Sequence, residues 1–232
     1  MEFENEFDKE NCWYKSVCSK YNTNECNGTC IRYLKMNYLT QAALLTKEQQ
    51  KPQKLVPDDC DIEKFQRLAT IKQNIVQFVD NGGQLLITSN HTGNGKTTWA
   101  IKMIMSYLNA IWHKTDFKPR ALFVNLPTFF NLLKENISES QEVIKHIKDN
   151  ITNVDLVVWD EIGIKNMSNF EMEHFLSFID ARMRNGKANI FTSNLVEQQL
   201  RETYGDRLES RILKTSEIIE FNGDDKRGVR QW

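Results

Sequence analysis

The chain has 232 residues, of which 26% are charged and 40% hydrophobic, and its net charge is −1. That length suits one medium domain with a small appendage, and the balanced charge excludes a surface built wholly for nucleic acid, so any such contact must come from a local basic face. No apolar run approaches the length of a bilayer span, and the acidic start Met1-Glu2-Phe3-Glu4-Asn5-Glu6 lacks the basic-then-apolar order of a secretory signal, so a cytoplasmic protein is expected.

Four of the five cysteines crowd the N-terminus: Cys12, Cys18, Cys26 and Cys30, spaced C-x5-C-x7-C-x3-C. In a reducing compartment such a cluster points to metal more than to disulfides. Four thiolates in a short polar segment suit tetrahedral Zn²⁺. The alternative is a set of free thiols packed in a small helical unit. Asn27-Gly28, between the last two cysteines, is a turn signal. Ile31, Leu34, Met36, Tyr38, Leu39 and Leu44 then suggest one or two helices, so residues 1–45 read as an N-terminal unit. Residues 46–58 are polar, contain Pro52 and read as a linker to a larger domain over 59–232. Cys60 stands alone and reads as a small buried hydrophobe.

Pro57-Asp58-Asp59 marks a helix start, and Ile62, Phe65, Leu68, Ile71, Ile75 and Phe78 recur at helical spacing up to Asn81-Gly82-Gly83. Gln84–Thr88 reads as a buried strand. It runs into Asn90-His91-Thr92-Gly93-Asn94-Gly95-Lys96-Thr97-Thr98, which fits the phosphate-loop pattern GxxxxGK[ST] except that Asn90 replaces the first Gly. In such a loop, successive N–H groups point inward to hold phosphate oxygens. Lys96 would reach the β- and γ-phosphates, Thr97 would hold Mg²⁺, and the following helix adds its positive end. Asn is among the few residues that tolerate positive φ, so Asn90 is a mild replacement if that backbone is needed.

The remainder alternates strand and helix: strands at 120–125, 154–159, 188–192 and 217–221, helices at 127–135, 142–148 and 169–183, and two short helices before the last strand. Alternation after a nucleotide loop predicts a doubly wound α/β domain with a parallel sheet. Asp160 and Glu161 close a near-continuous apolar strand, at the end where α/β folds gather ligands. Asp160 there would hold Mg²⁺ through water, and Glu161 would polarise the attacking water. The bland alternative is an acidic turn. Asn194, after Thr192-Ser193, could hydrogen-bond the attacking water and the γ-phosphate, or simply cap a helix. The arginines of Gly205-Asp206-Arg207-Leu208-Glu209-Ser210-Arg211 and of the tail through Arg227 and Arg230 read by composition as solvated charges. Lys165, Arg182, Arg184 and Lys187 could form a basic edge for single-stranded DNA, or a solvated helix face.

Residues from about 60 to 232 resemble the DnaC/DnaI-type helicase loaders, a branch of the AAA+ P-loop ATPases that includes the IstB-like transposition ATPases. The motifs are Asn90–Thr98 as Walker A, Leu156–Glu161 with Ile162-Gly163 as Walker B, Thr192-Ser193-Asn194-Leu195 as sensor 1, Gly205-Asp206-Arg207 to Ser210-Arg211-Ile212 as the arginine-finger segment, and Asp225-Lys226-Arg227-Gly228 as sensor 2. The resemblance implies ATP and Mg²⁺ bound through Asn90, Gly93, Asn94, Gly95, Lys96, Thr97, Thr98 and Asp160. It makes Lys96, Glu161 and Asn194 catalytic, Arg211 a finger acting on a neighbour's ATP with Arg207 as the other candidate, and Arg227 the cis sensor. It further implies an N-terminal module that grips a hexameric DnaB-family replicative helicase, contact with single-stranded DNA, and a homo-oligomer through the ATPase domain. The chain ends soon after Arg227, so no C-terminal helical lid is expected. Short versions are common in phages, and a phage or prophage origin is a further expectation. The competing readings are a transposition-type ATPase on duplex DNA and a non-hydrolysing helicase-binding adaptor.

Overall fold

The computed structural model describes residues 7–10, 12–134, 138–163 and 167–224. Five strands form the sheet: β1 (Gln84–Thr88), β2 (Ala121–Asn125), β3 (Leu156–Ile162), β4 (Ala188–Ser193) and β5 (Glu217–Glu220). They run parallel in the order β2-β3-β4-β1-β5. Parallel neighbours cannot be joined by tight turns, so helices make the crossovers and cover both faces. This is why β3 is apolar at successive positions from Leu156 to Trp159 rather than at alternate ones.

Side chains alternate between two cores. On one face Leu85, Ile87, Phe123, Val158 and Ile190 meet α1 (Ile31–Ala42), α2 (Ile62–Gln73), α3 (Ile75–Asp80) and α4 (Lys96–Ile111). On the other Leu86, Val124, Val157, Trp159 and Phe191 meet α5 (Leu126–Lys134), α6 (Ser138–Asn150), α7 (Asn169–Arg184) and α8 (Glu197–Leu208). The sheet is that of the expected α/β AAA+ P-loop class.

The predicted helix from Pro57 to Phe78 is broken at Asn74, whose φ of −103° and ψ of 27° leave the helical region. Its amide N–H bonds the Thr70 and Ile71 carbonyls, and its side chain adds a bond to the Thr70 carbonyl, 2.9 Å, so α2 ends there and α3 starts anew. Asn27 forms the expected turn, its side-chain oxygen accepting the Thr29 N–H at 2.9 Å. Residues 31–45 are built into the main core. Met36, Leu39 and Ala43 are buried there, the Ala43 carbonyl accepts the Phe123 N–H at 2.8 Å, and the Tyr14 hydroxyl reaches Asn109 of α4 at 2.8 Å.

Two expectations are corrected. Cys60 is exposed, in a short 3-10 turn over Asp59–Asp61, because the apolar side of α2 begins only beyond it. Arg182 is fully buried and takes no part in a basic edge. Its guanidinium donates to the carbonyls of Ile151, Val154, Asp155 and Ala188 and to Asn189 Oδ1, tying α7 to the starts of β3 and β4. Burial pushes the group down, but every partner is an oxygen acceptor, which favours the charged form. Lys187 is committed to Asp155 at 3.0 Å, Arg184 stays exposed, and Lys165 lies outside the described residues. Among the described residues no helix is long and apolar enough to cross a membrane.

Asp155 anchors the same end of the sheet. It accepts hydrogen bonds from Lys187, from the Tyr107 hydroxyl at 2.9 Å and from Arg120 at 2.6 Å. Burial alone would raise its carboxyl, but these three donors hold it below the ordinary carboxylate range. A depressed folded-state value means stability present above about pH 4 and lost as pH falls through the folded value. Asp155→Asn is therefore expected to lower stability at pH 7 by on the order of 2 kcal/mol. That deficit against wild type should shrink on acidification, as read by urea denaturation at several pH values.

Candidate functional site

The loop between β1 and α4 and the carboxyl ends of β3 and β4 converge because β1, β4 and β3 are sheet neighbours. Gly93 and Gly95 adopt left-handed backbone, φ 73° and 94°. A Cβ at Gly95 would also meet Leu55 Cδ2 at 2.8 Å, so that position excludes a side chain twice over. Asn90 does not have a positive φ, so its replacement of Gly meets no backbone objection. Ser89 Oγ accepts the His91 N–H at 3.0 Å and the Asn94 amide at 2.6 Å, closing the loop on itself.

Lys96 and Thr97 open α4, where first-turn N–H groups have no partner within the helix and are available to phosphate oxygens. Lys96 is buried, and its Nζ donates to the His91 carbonyl at 2.7 Å and to Asn94 Oδ1 at 3.1 Å. The ammonium thus sits inside the curl of its own loop. Thr98, two residues after Lys96, bonds Gln53 at 3.1 Å, so the 46–58 segment straps across the start of α4.

Thr97 Oγ1 donates to Asp160 Oδ1 at 2.8 Å, and Thr192 Oγ1 donates to the same oxygen at 2.6 Å. Asp160 is buried, and burial raises its carboxyl above the ordinary range despite those hydrogen bonds. A divalent cation beside it would favour the ionised form. A hydroxyl and a carboxylate in contact, at a helix N-terminus, are the oxygen donors that Mg²⁺ takes alongside water. Bound there, Mg²⁺-ATP would supply an electrophilic γ-phosphorus and a compact positive charge.

Glu161 lies next to Asp160 in β3 but has φ 66°, uncommon for a residue with a side chain. The β3–β4 register shifts between Trp159 and Ile162, so Glu161 occupies a bulge that turns it out of the strand's alternation. Such a conformation costs on the order of 1–3 kcal/mol and persists only where its surroundings enforce it. The Glu161 N–H is held by Thr192 Oγ1 at 3.0 Å, and its carboxylate by the Asn125 amide at 2.8 Å. Asn125 also approaches Asp160 at 3.4 Å. Asn125 closes β2, with β3 and β4 between it and the strand that carries the loop, and nothing but its place at a strand end marks it in the sequence. It is the site residue that motif reading missed.

Asn194 follows β4, half-buried at the same carboxyl edge. Ser193 Oγ bonds the Ile162 carbonyl at 2.6 Å and accepts the Leu195 N–H, which locks the turn that carries Asn194. The arginines stand elsewhere. Arg211 lies in a π turn (Glu209–Leu213) and bonds Asp180 of α7 at 2.7 Å. Arg207 is exposed, with Glu173 3.9 Å away. Arg227 lies outside the described residues. Cys12, Cys18, Cys26 and Cys30 are free and half-buried. Burial raises the Cys12 thiol, and the other three cysteines add to this. Among the described residues, however, no three His, Cys, Asp or Glu side chains close into a metal cage.

The sequence profile of the IstB-like ATP binding proteins matches residues 31–231, nearly the whole α/β unit together with α1. The chain belongs to this family. No match to a curated protein was found. Among solved structures, the fold is similar to DnaI (21% identity, 81% of this chain and 100% of that chain, TM-score 0.58). It is similar also to the DnaC helicase loader (20% identity, 72% and 93%, TM-score 0.53). A third is a candidate primosome component from Streptococcus pyogenes serotype M3 (17% identity, 82% and 98%, TM-score 0.59). At such identity these structures establish the shared architecture of this IstB-like chain.

Gly95 offers a direct check on the loop. Gly95→Ala is expected to lose at least about 1 kcal/mol in chemical denaturation. Combining it with Leu55→Ala should leave most of that loss in place, because removing Leu55 clears the clash but not the φ of 94°.

Proposed function

We propose that this protein is an ATP-hydrolysing AAA+ helicase loader that binds a hexameric DnaB-family replicative helicase and delivers it to single-stranded DNA. The observation that carries the ATPase reading is the Thr97–Asp160 contact at 2.8 Å, which joins the phosphate loop to the acidic strand end. Lys96 neutralises phosphate charge, Thr97 and Asp160 hold Mg²⁺, and Glu161 orients and deprotonates the attacking water. Asn194 senses the γ-phosphate. Asn125 holds the Glu161 carboxylate until a phosphate competes for its amide. Arg211, released from Asp180, reaches a neighbouring subunit's ATP, with Arg227 acting in cis. The loader part of the reading draws support from the fold shared with DnaI and the DnaC helicase loader.

In this reading residues 1–45 form the helicase-binding module, 46–58 the connecting strap and 59–232 the ATPase domain. ATP works as a timing switch, since a ligand shifts an assembly equilibrium only through differential affinity for its two states. Zn²⁺ in the module rests on the spacing of Cys12, Cys18, Cys26 and Cys30 alone. A second reading, which the resemblance to IstB-like proteins implies, is a transposition-type ATPase on duplex DNA.

Lys96→Ala is expected to abolish ATP-dependent thermal stabilisation, and Glu161→Gln to keep it while losing turnover. With the full chain, a DnaB-family helicase and single-stranded DNA, a stable co-complex with stimulated hydrolysis should form on size exclusion. Filaments on duplex DNA with no helicase binding would give the transposition reading the case. A metal assay should find one zinc per chain, released by thiol-modifying reagents and lost from a variant with all four cysteines changed to Ser. A metal-free, folded wild type would remove zinc from the reading.

A further inference from the structure

A cleft of about 890 Å³ opens beside α4, on the stripe Thr98-Ile101-Lys102-Met105-Asn109 that does not face the sheet. Its other walls are α1 with the N-terminal turns, the 47–53 part of the strap, and the end of α2 at Lys72. The cleft is distinct from the phosphate loop, touching the nucleotide end of α4 only at Thr98. Its apolar lining includes Met105, half-buried and able to adapt to an incoming side chain, with Met36 and Ile101 almost wholly buried beneath.

The lining carries seven cationic side chains against two carboxylates, Asp8 and Glu10. Some of that charge is already used. Lys51 pairs with Glu48 at 2.6 Å, and Lys15 bonds the Glu10 carbonyl at 2.7 Å. Lys72 and Lys102 are different: among the described residues neither has a carboxylate partner, and their mutual repulsion adds to the burial that lowers Lys102. Two lysines that line the same cleft and repel each other, next to a half-buried methionine, call for an anionic, partly apolar ligand.

The aromatic side chains decide its class. Single-stranded nucleic acid needs open ring faces on which bases can stack. Here Tyr14 is covered by the Arg32 guanidinium 3.2 Å from its centroid, and Trp13 leans on Tyr33 at 5.4 Å. Half-buried Met105 with Lys72 and Lys102 nearby suits instead the apolar and acidic faces of an amphipathic helix. We propose that this cleft docks an acidic amphipathic helix of a partner protein, with its apolar side chains against Met105 and its carboxylates beside Lys72 and Lys102.

The test requires neither helicase nor nucleotide, so it stands or falls apart from the loader reading. The probe is a fluorescein-labelled peptide of about four helical turns, with Glu on one face and Leu and Phe on the other, titrated with the full chain in fluorescence anisotropy. Saturable micromolar binding is expected. The double change Lys72→Glu, Lys102→Glu should weaken it about tenfold or more, and Met105→Asp should weaken it as well. Both variants should keep the wild-type far-UV circular dichroism and a cooperative thermal transition, which shows that they are folded. No saturation at millimolar protein, equal binding of a peptide with Lys in place of Glu, or an unchanged affinity in the double variant would overturn the proposal. Tighter binding of labelled oligothymidylate than of the peptide would overturn it in favour of a nucleic-acid groove.

Discussion

A single buried carboxylate ties the candidate site together. Asp160 Oδ1 accepts hydroxyl hydrogens from Thr97, at the start of α4, and from Thr192, on β4. Three chain segments, separated by 63 and 32 residues from Asp160, thereby meet at one oxygen. The contact is possible because β4 lies between β1 and β3, so their carboxyl ends share one edge. A cation beside it would change its charge state. Burial disfavours the ionised form, and a divalent charge would restore it more effectively than hydroxyl donors do.

The residue beside it shows how the fold spends stability on the site. Glu161 adopts a left-handed backbone inside a strand, and the β3–β4 register slips to accommodate it. Its N–H is held by Thr192 and its carboxylate by Asn125, so the strain is enforced from two neighbouring strands. Asp160 and Glu161 would lie on opposite faces of a regular strand. The bulge breaks that alternation, and Asn125 comes within hydrogen-bonding reach of both carboxylates. Far from the site, the opposite edge is rigidified by Arg182 and Asp155, whose donors and acceptors fasten the starts of β3 and β4 to α7, α4 and β2.

The N-terminal segment joins the ATPase fold by packing as well as by chain. Met36, Leu39 and Ala43 sit in the same core as Leu85 and Ile104, and the matched family profile likewise begins at residue 31. The 46–58 segment has structural duties too, with Leu55 against Gly95 and Gln53 on Thr98. A polar, proline-containing run can therefore read as a linker while lying across the nucleotide loop. Composition reports what a segment cannot bury, and it says nothing about what the segment touches.

Strand and helix types followed from local chemistry. Apolar runs such as Leu85-Leu86-Ile87 and Val157-Val158-Trp159 can only be satisfied with cover on both faces, and that requirement implies a parallel sheet with helices on each side. The loop residues Gly93, Gly95, Lys96 and Thr97 and the acidic pair Asp160-Glu161 were legible for the same reason, since their chemistry depends on neighbours in the chain. The break at Asn74, the burial of Arg182, the bulge at Glu161 and the role of Asn125 were not. Each depends on groups far apart in sequence that meet only when the strands take their order: Arg182 with the Ile151 and Val154 carbonyls ahead of β3, and Asn125 with a carboxylate 36 residues away. Asn74 is the exception, a local competition between side chain and helix that hydrophobic periodicity does not register. The sequence by itself determined the strands, most of the helices and the loop whose pattern fits phosphate binding. Only the tertiary structure decided which polar side chains share a buried oxygen, because the cost of burying them depends on partners supplied by other strands.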